Sequence, residues 1–194
     1  MVGASLVAGS TARATVVADV PVSEMAREAA AVALGRVTRV GSRVVLADAG
    51  HRVETVVHFE VQECWAGECA ETELRWVAPG GETPWGRAVT HGAPVESPGQ
   101  ELVVFLERDP RGRFMLFGLA LGRFEVRQDG AGGRWAVRDL GDLTLAGDDP
   151  SGRLVLGAAS TAQVLPLAEL ADAVRSARRP RMSLPDGNEG ELRR

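Results

Sequence analysis

Apolar positions along the chain follow two different periods. Val22, Met25, Ala26 and Ala29 fall at i, i+3, i+4 and i+7, which predicts a short helix over 21–30 with one apolar face. Pro21 suits its first turn. From there the period drops to two. Residues 31–40 predict a strand, with Gly35 a bulge where the chain bends. The clearest alternation runs over 52–64, where Val53, Thr55, Val57, Phe59 and Val61 point one way and Glu54, His58, Glu60 and Gln62 the other. A turn at Ala66-Gly67 returns the chain through 72–77, with Leu74 and Trp76 inward. Residues 102–106 (LVVFL) are apolar on both faces and predict a central strand, paired with 113–119 across the turn Asp109-Pro110-Arg111-Gly112. Strands around Phe124/Val126 and Trp135/Val137 follow, joined by the turn 129–133, with Trp135 on the inward parity of its strand and Trp65 left to the turn beside Ala66. Leu167, Leu170, Ala171 and Val174 then predict a closing amphipathic helix. Pro166 opens it, and Arg175, Arg178 and Arg179 lie near its negative end.

Six or seven short strands with helices only at the two ends predict an all-β fold. The long second strand and the bulged first one favour a small closed barrel over a sandwich. Its core is expected to hold Val53, Val57, Phe59, Val61, Leu74, Trp76, Val103, Phe105, Phe124 and Val126. Residues 79–100 stand outside the alternation. This stretch carries Pro79, Pro84, Pro94 and Pro98, and it is long for an idle loop in a compact fold. Trp85 and His91 are its candidate binding residues. Either the loop presents Trp85 to a partner, where tryptophan is an effective anchor, or it folds back and buries Trp85 over a barrel end.

Composition narrows the class. The 194 residues, 45% hydrophobic and 25% charged, suffice for one domain with a real core, and the expected organisation is a single domain over 15–178. All 22 basic residues are arginine, and Lys, Ile and Tyr are absent, a bias that a GC-rich genome explains. The net charge of −4 argues against a dedicated nucleic-acid binder. No apolar run reaches the roughly 18 residues of a membrane-spanning helix. Residues 1–14 are small and apolar and contain Ala12-Arg13-Ala14, the A-x-A form of a signal-peptidase site. They are read as a signal-peptide remnant, with the mature protein exported to the periplasm, cell envelope or exterior and starting near Thr15; the alternative is an alanine-rich tail. Residues 179–194 are expected to be a disordered tail.

Candidate chemistry is sparse. Cys64 and Cys69 are the only cysteines, and the turn between them makes a disulfide the first reading and two free thiols the second. Their spacing is not the C-x-x-C of a redox site, and no further ligands stand nearby for zinc. His51, His58 and His91 form no metal motif and read as surface histidines. Neither G-x-S-x-G, a P-loop nor a dinucleotide fingerprint occurs. Glu54, Glu60, Glu63, Glu71 and Glu73 read as a solvated face. No catalytic residue, metal site or cofactor is expected.

The order of short motifs carries one resemblance. Residues 31–37 (AVALGRV) precede Phe59-Glu60-Val61 and Cys64-Trp65-Ala66-Gly67. Residues 77–81 (VAPGG), 98–106 (PGQELVVFL) and 118–124 (GLALGRF) follow. Over roughly 29–127 the chain resembles the netrin-like module shared with tissue inhibitors of metalloproteinases, and more closely uncharacterised exported bacterial proteins of that pattern. The resemblance implies an OB-like closed barrel of five to seven strands with short N- and C-terminal helices. The inhibitors chelate a catalytic zinc through an N-terminal cysteine; here Cys64 is the first cysteine, so that mechanism does not carry over. The expected function is an exported, non-catalytic netrin-like binding module with a protein partner. The alternatives are an enzyme with an unrecognised site or a structural envelope component.

Overall fold

A computed structural model of the chain describes residues 15–47, 50–69, 72–141, 143–148, 151, 153–157 and 162–179. The expected signal-peptide remnant at 1–14, Glu71 and all but the first residue of the expected tail lie outside these. The described residues are mostly strand, so the all-β class holds.

Two elements dominate. β2 (Ala31–Ala47) and β3 (Gly50–Gly67) form one long antiparallel hairpin, after β1 (Thr15–Ala18) and the helix α1 (Val22–Glu28). Both strands run well past the usual five or six residues. They bend because the register slips between Val32 and Ala33, between Leu34 and Gly35, and again between Val37 and Arg39. The expected bulge at Gly35 is therefore present, and its cause is steric. A Cβ there would lie 2.0 Å from the Glu60 carbonyl oxygen, so no side chain fits. Ala66 and Gly67 pair with Val32 and Ala31, so the expected turn at 66–67 is the end of β3 instead.

Next come β4 (Glu73–Pro79), β5 (Gly81–Thr83), β6 (Gly86–Ala88), β7 (Glu101–Arg108) and β8 (Phe114–Leu116). A 3-10 turn at Leu119–Gly122 leads to β9 (Arg123–Gln128), β10 (Arg134–Arg138), β11 (Leu143–Asp148), β12 (Leu154–Leu156), β13 (Gln163–Pro166) and the helix α2 (Leu167–Arg178). The main sheet runs β13-β10-β9-β7-β2-β3-β4-β8, and β8 pairs with β7 as well, while β4 and β8 pair in parallel. β1, β11 and β12 make a small separate sheet, and β5 with β6 a hairpin.

β7 and the start of β2 feed two cores because both of their faces are apolar there, as the LVVFL run predicts for β7. Ala33, Leu102, Val104 and Leu106 face a cluster with Phe59, Leu74 and Trp76. There the Phe59 and Trp76 rings meet edge to face at 5.5 Å. On the other side, Val32, Leu34, Val103 and Phe105 pack with Phe124, Met25 of α1 and Leu170 and Val174 of α2. Arg178 of α2 donates to the Ala26 and Ala29 carbonyls at the end of α1, satisfying acceptors that the helix leaves open. Of the expected core, Val57, Phe59, Leu74, Trp76, Val103, Phe105 and Phe124 are buried, while Val53, Val61 and Val126 are only partly so.

Candidate functional site

The stretch read as a loop is built around the β5–β6 hairpin. Thr83 pairs with Gly86, which leaves Pro84 and Trp85 as a two-residue tip. The hairpin lies flat on the β2–β3 ribbon through a hydroxyl chain. The amide of Glu82 donates to Ser42 Oγ (3.2 Å), Ser42 to Thr55 Oγ1 (2.9 Å) and Thr55 to the Gly80 carbonyl (2.8 Å). Gly81 permits this approach: at φ +135 its Cβ would stand 2.3 Å from both hydroxyls.

Trp85 is 84% exposed at that tip, so it does not plug a barrel end. Val89 (63%) and Val95 (77%) are also exposed farther along the same stretch. His91 is exposed too. Its backbone carbonyl accepts from Thr15 Oγ1 at 2.7 Å, which ties the segment to β1. Its side chain lines neither of the clefts described next.

The hairpin base separates two clefts, which share Ala78, Pro79, Gly80, Ala88 and Thr90. One, of about 350 Å³, lies over Val40, Ser42 and Thr55. The larger, of about 610 Å³, opens between the start of β3, the end of β4 and the turn 109–113. Its floor is apolar, with Val53, Val77, Pro79, Pro110 and Met115, and its rim carries Arg52, Arg111, Arg113 and His51.

Glu54 organises the charge of the larger cleft. Alternation places it on a solvated face, yet it is 3% exposed. Arg43 Nε and Nη2 donate to its Oε1 at 3.0 and 2.7 Å, and Arg113 Nη1 reaches both oxygens at 3.2 and 3.0 Å. Arg52 stands 3.6 Å away. Burial alone would raise this carboxyl's pKa, but the two hydrogen-bonded guanidiniums outweigh it and hold it below the ordinary value. Asp109 anchors the other side of Arg113. Its Oδ1 accepts from the amides of Arg111 and Arg113, both at 2.9 Å, and its Oδ2 accepts from Arg113 Nε at 2.8 Å. Desolvation again opposes and these bonds again prevail, so the Asp109 carboxyl titrates low.

Period two assigns Glu54 to a face of its strand and not to a partner, so alternation alone holds no sign of its burial. The available signal was Arg43, which sits directly opposite Glu54 in the β2–β3 register. Arg113, 59 residues away, arrives only through the fold.

The cysteines are joined: Cys64 and Cys69 form a disulfide with Cα atoms 5.5 Å apart. It does not join two paired strands. Cys64 lies in β3 opposite Ala33, and Cys69 follows the strand end with its side chain buried in the Phe59–Trp76 cluster. The bridge pins the exit of β3 onto its own last residues. His58, expected as a solvated histidine, is largely covered (13% side-chain exposure) between Arg39 Nη2 at 2.7 Å and Glu73 Oε1 at 3.0 Å.

Trp65, expected in a turn, lies in β3 and is buried beneath Arg175 of α2. Trp135, expected in the core, is half-buried and lines a groove beside α2 with Trp65. Among the described residues no group of three or more His, Cys, Asp or Glu is placed to hold a metal, and no helix is long and apolar enough to cross a membrane. Comparison with protein-family models, with curated proteins and with solved structures finds no match.

Proposed function

We propose that the chain is an exported, non-catalytic binding module of the netrin-like type, built on an OB-like closed barrel within residues 15–178, and that its partner is another protein. The observation that carries the reading is Trp85: a tryptophan 84% exposed on a two-residue tip behind Pro84. An aromatic left in water on a stiff turn loses little conformational freedom when it docks, and tryptophan is enriched among residues that dominate interface energies. Val89 and Val95 extend the exposed apolar surface of the segment.

Three further observations support the finer parts. The pairing path β7-β2-β3-β4-β8-β7 returns to its start, with the β4–β8 step parallel, as a closed five-stranded barrel requires. The 610 Å³ cleft lies between the β3 end of the β2–β3 hairpin and the turn after β7, where OB barrels take ligands. A disulfide fits an oxidising compartment and hence export.

The test is paired capture from native envelope extract, with wild type and Trp85→Ala as baits of equal fold by circular dichroism. A protein retained by wild type and lost with Trp85→Ala is the expected result. Identical captured sets from both baits would overturn the reading.

A further inference from the structure

We propose that the 610 Å³ cleft is a binding site for a small organic carboxylate: one carboxylate head on an aliphatic or aromatic body. The inference is separate from the Trp85 surface and does not depend on it.

Charge is the first argument. Three arginines, Arg52, Arg111 and Arg113, line the cleft against two carboxylates, Glu54 and Asp109, and Arg43 pairs with Glu54 from outside it. This cationic excess belongs to a chain whose net charge is −4. The four are not equivalent. Arg113 is spent, with Nε and Nη2 on Asp109 and Nη1 on Glu54. Arg43 is committed through Nε and Nη2. Arg52 makes a single 3.6 Å contact and is half exposed, and Arg111 has no ion pair among the described residues. Two forks therefore stand at the mouth of the cleft with donors to spare, while Glu54 and Asp109, both titrating low, remain charged and keep Arg113 in place.

Shape is the second argument. The volume falls in the usual range for small-molecule sites, about 300–1,000 Å³. Below the cationic rim the walls are Val53, Val77, Pro79, Pro110 and Met115, with Thr90 bringing a single hydroxyl to the lining. A polar ligand such as a sugar would leave most of its hydroxyls unpaired there. A bare inorganic anion would leave the apolar floor in contact with water. A carboxylate with an apolar body satisfies both parts, because the planar fork of arginine matches a carboxylate in two parallel bonds.

The experiment titrates the full chain with 3-phenylpropionate, 3-phenylpropanamide, acetate and phenyl phosphate, following amide shifts by heteronuclear NMR. 3-Phenylpropionate is expected to bind, with shifts confined to 51–54, 77–80, 88–90 and 109–115. The amide, which lacks only the charge, and acetate, which lacks only the body, should each bind about tenfold or more weakly. Arg52→Ser/Arg111→Ser should lower the 3-phenylpropionate affinity by a similar factor. Both side chains are exposed, so that variant should keep the wild-type spectrum elsewhere. Equal binding of acid and amide, shifts at another surface, or no binding at millimolar ligand would overturn the site. Tighter binding of phenyl phosphate than of 3-phenylpropionate would overturn the carboxylate assignment.

Discussion

Glu54 and Glu96 are almost equally buried, at 3% and 6% exposure, yet their carboxyls are pushed in opposite directions. Glu54 accepts from two guanidiniums and titrates low. Glu96 is raised, because desolvation dominates, its one guanidinium, that of Arg123, offsets only part of it, and Glu125 adds a like charge. Their partners differ as well. Arg43, Arg52 and Arg113 keep 58%, 49% and 31% of their side chains in contact with solvent, whereas Arg123 keeps 12%. The contrast separates two uses of a buried ion pair. At Glu54 a carboxylate with several partly hydrated cations builds the rim of a cleft. At Glu96 one closed pair locks the segment before β7 against β9, at a desolvation penalty on both ions.

The contrast breaks most sharply at Arg123. Arg123→Leu leaves Glu96 buried without its cation and should cost about 3 kcal/mol of stability, measured by urea denaturation at pH 7. Removing one cation from the other site should cost less, because a second guanidinium remains. Arg43→Met should cost about 1 kcal/mol in the same assay. A loss at Arg43 equal to that at Arg123 would show that the number of partners does not matter.

The pH dependence sharpens the comparison further. The folded-state pKa of Glu54 lies below its unfolded value, so its contribution is fully present above the unfolded pKa near 4.5 and fades as pH falls through the folded one. That of Glu96 lies above 4.5, so the folded state binds the extra proton and stability falls as pH rises from there through the folded pKa. Glu54→Gln should therefore flatten the stability profile on the acid side of 4.5, and Glu96→Gln on the alkaline side. Denaturation midpoints across pH 3–7 for the two variants decide this.

The smallest effect belongs to a residue with no buried partner. Trp85→Ala should change stability by no more than about 0.5 kcal/mol, since the side chain already faces water. A larger loss would mean that the β5–β6 tip is held by the indole.

Period and punctuation in the sequence determined much of this protein. The two terminal helices, the doubly apolar β7 and the bulge at Gly35 follow from local spacing, and local spacing is what backbone geometry reads directly. Proximity of Cys64 and Cys69 in the chain made their bridge legible, although not the buried position of Cys69. Other features were settled only in three dimensions. Residues 41–47 carry no alternation and become strand because β3 pairs along their length. Trp65 and Trp135 exchange their expected places because α2 covers the end of β3 and leaves the face of β10 beside it open. The charged cleft is the clearest case. Arg43 and Glu54 meet by strand register, but Asp109 and Arg113 reach them only when the turn between β7 and β8 closes over β3 and β4. A carboxylate's partners, and hence its protonation, depend on distances between segments far apart in the chain, and alternation along one strand holds no record of those distances.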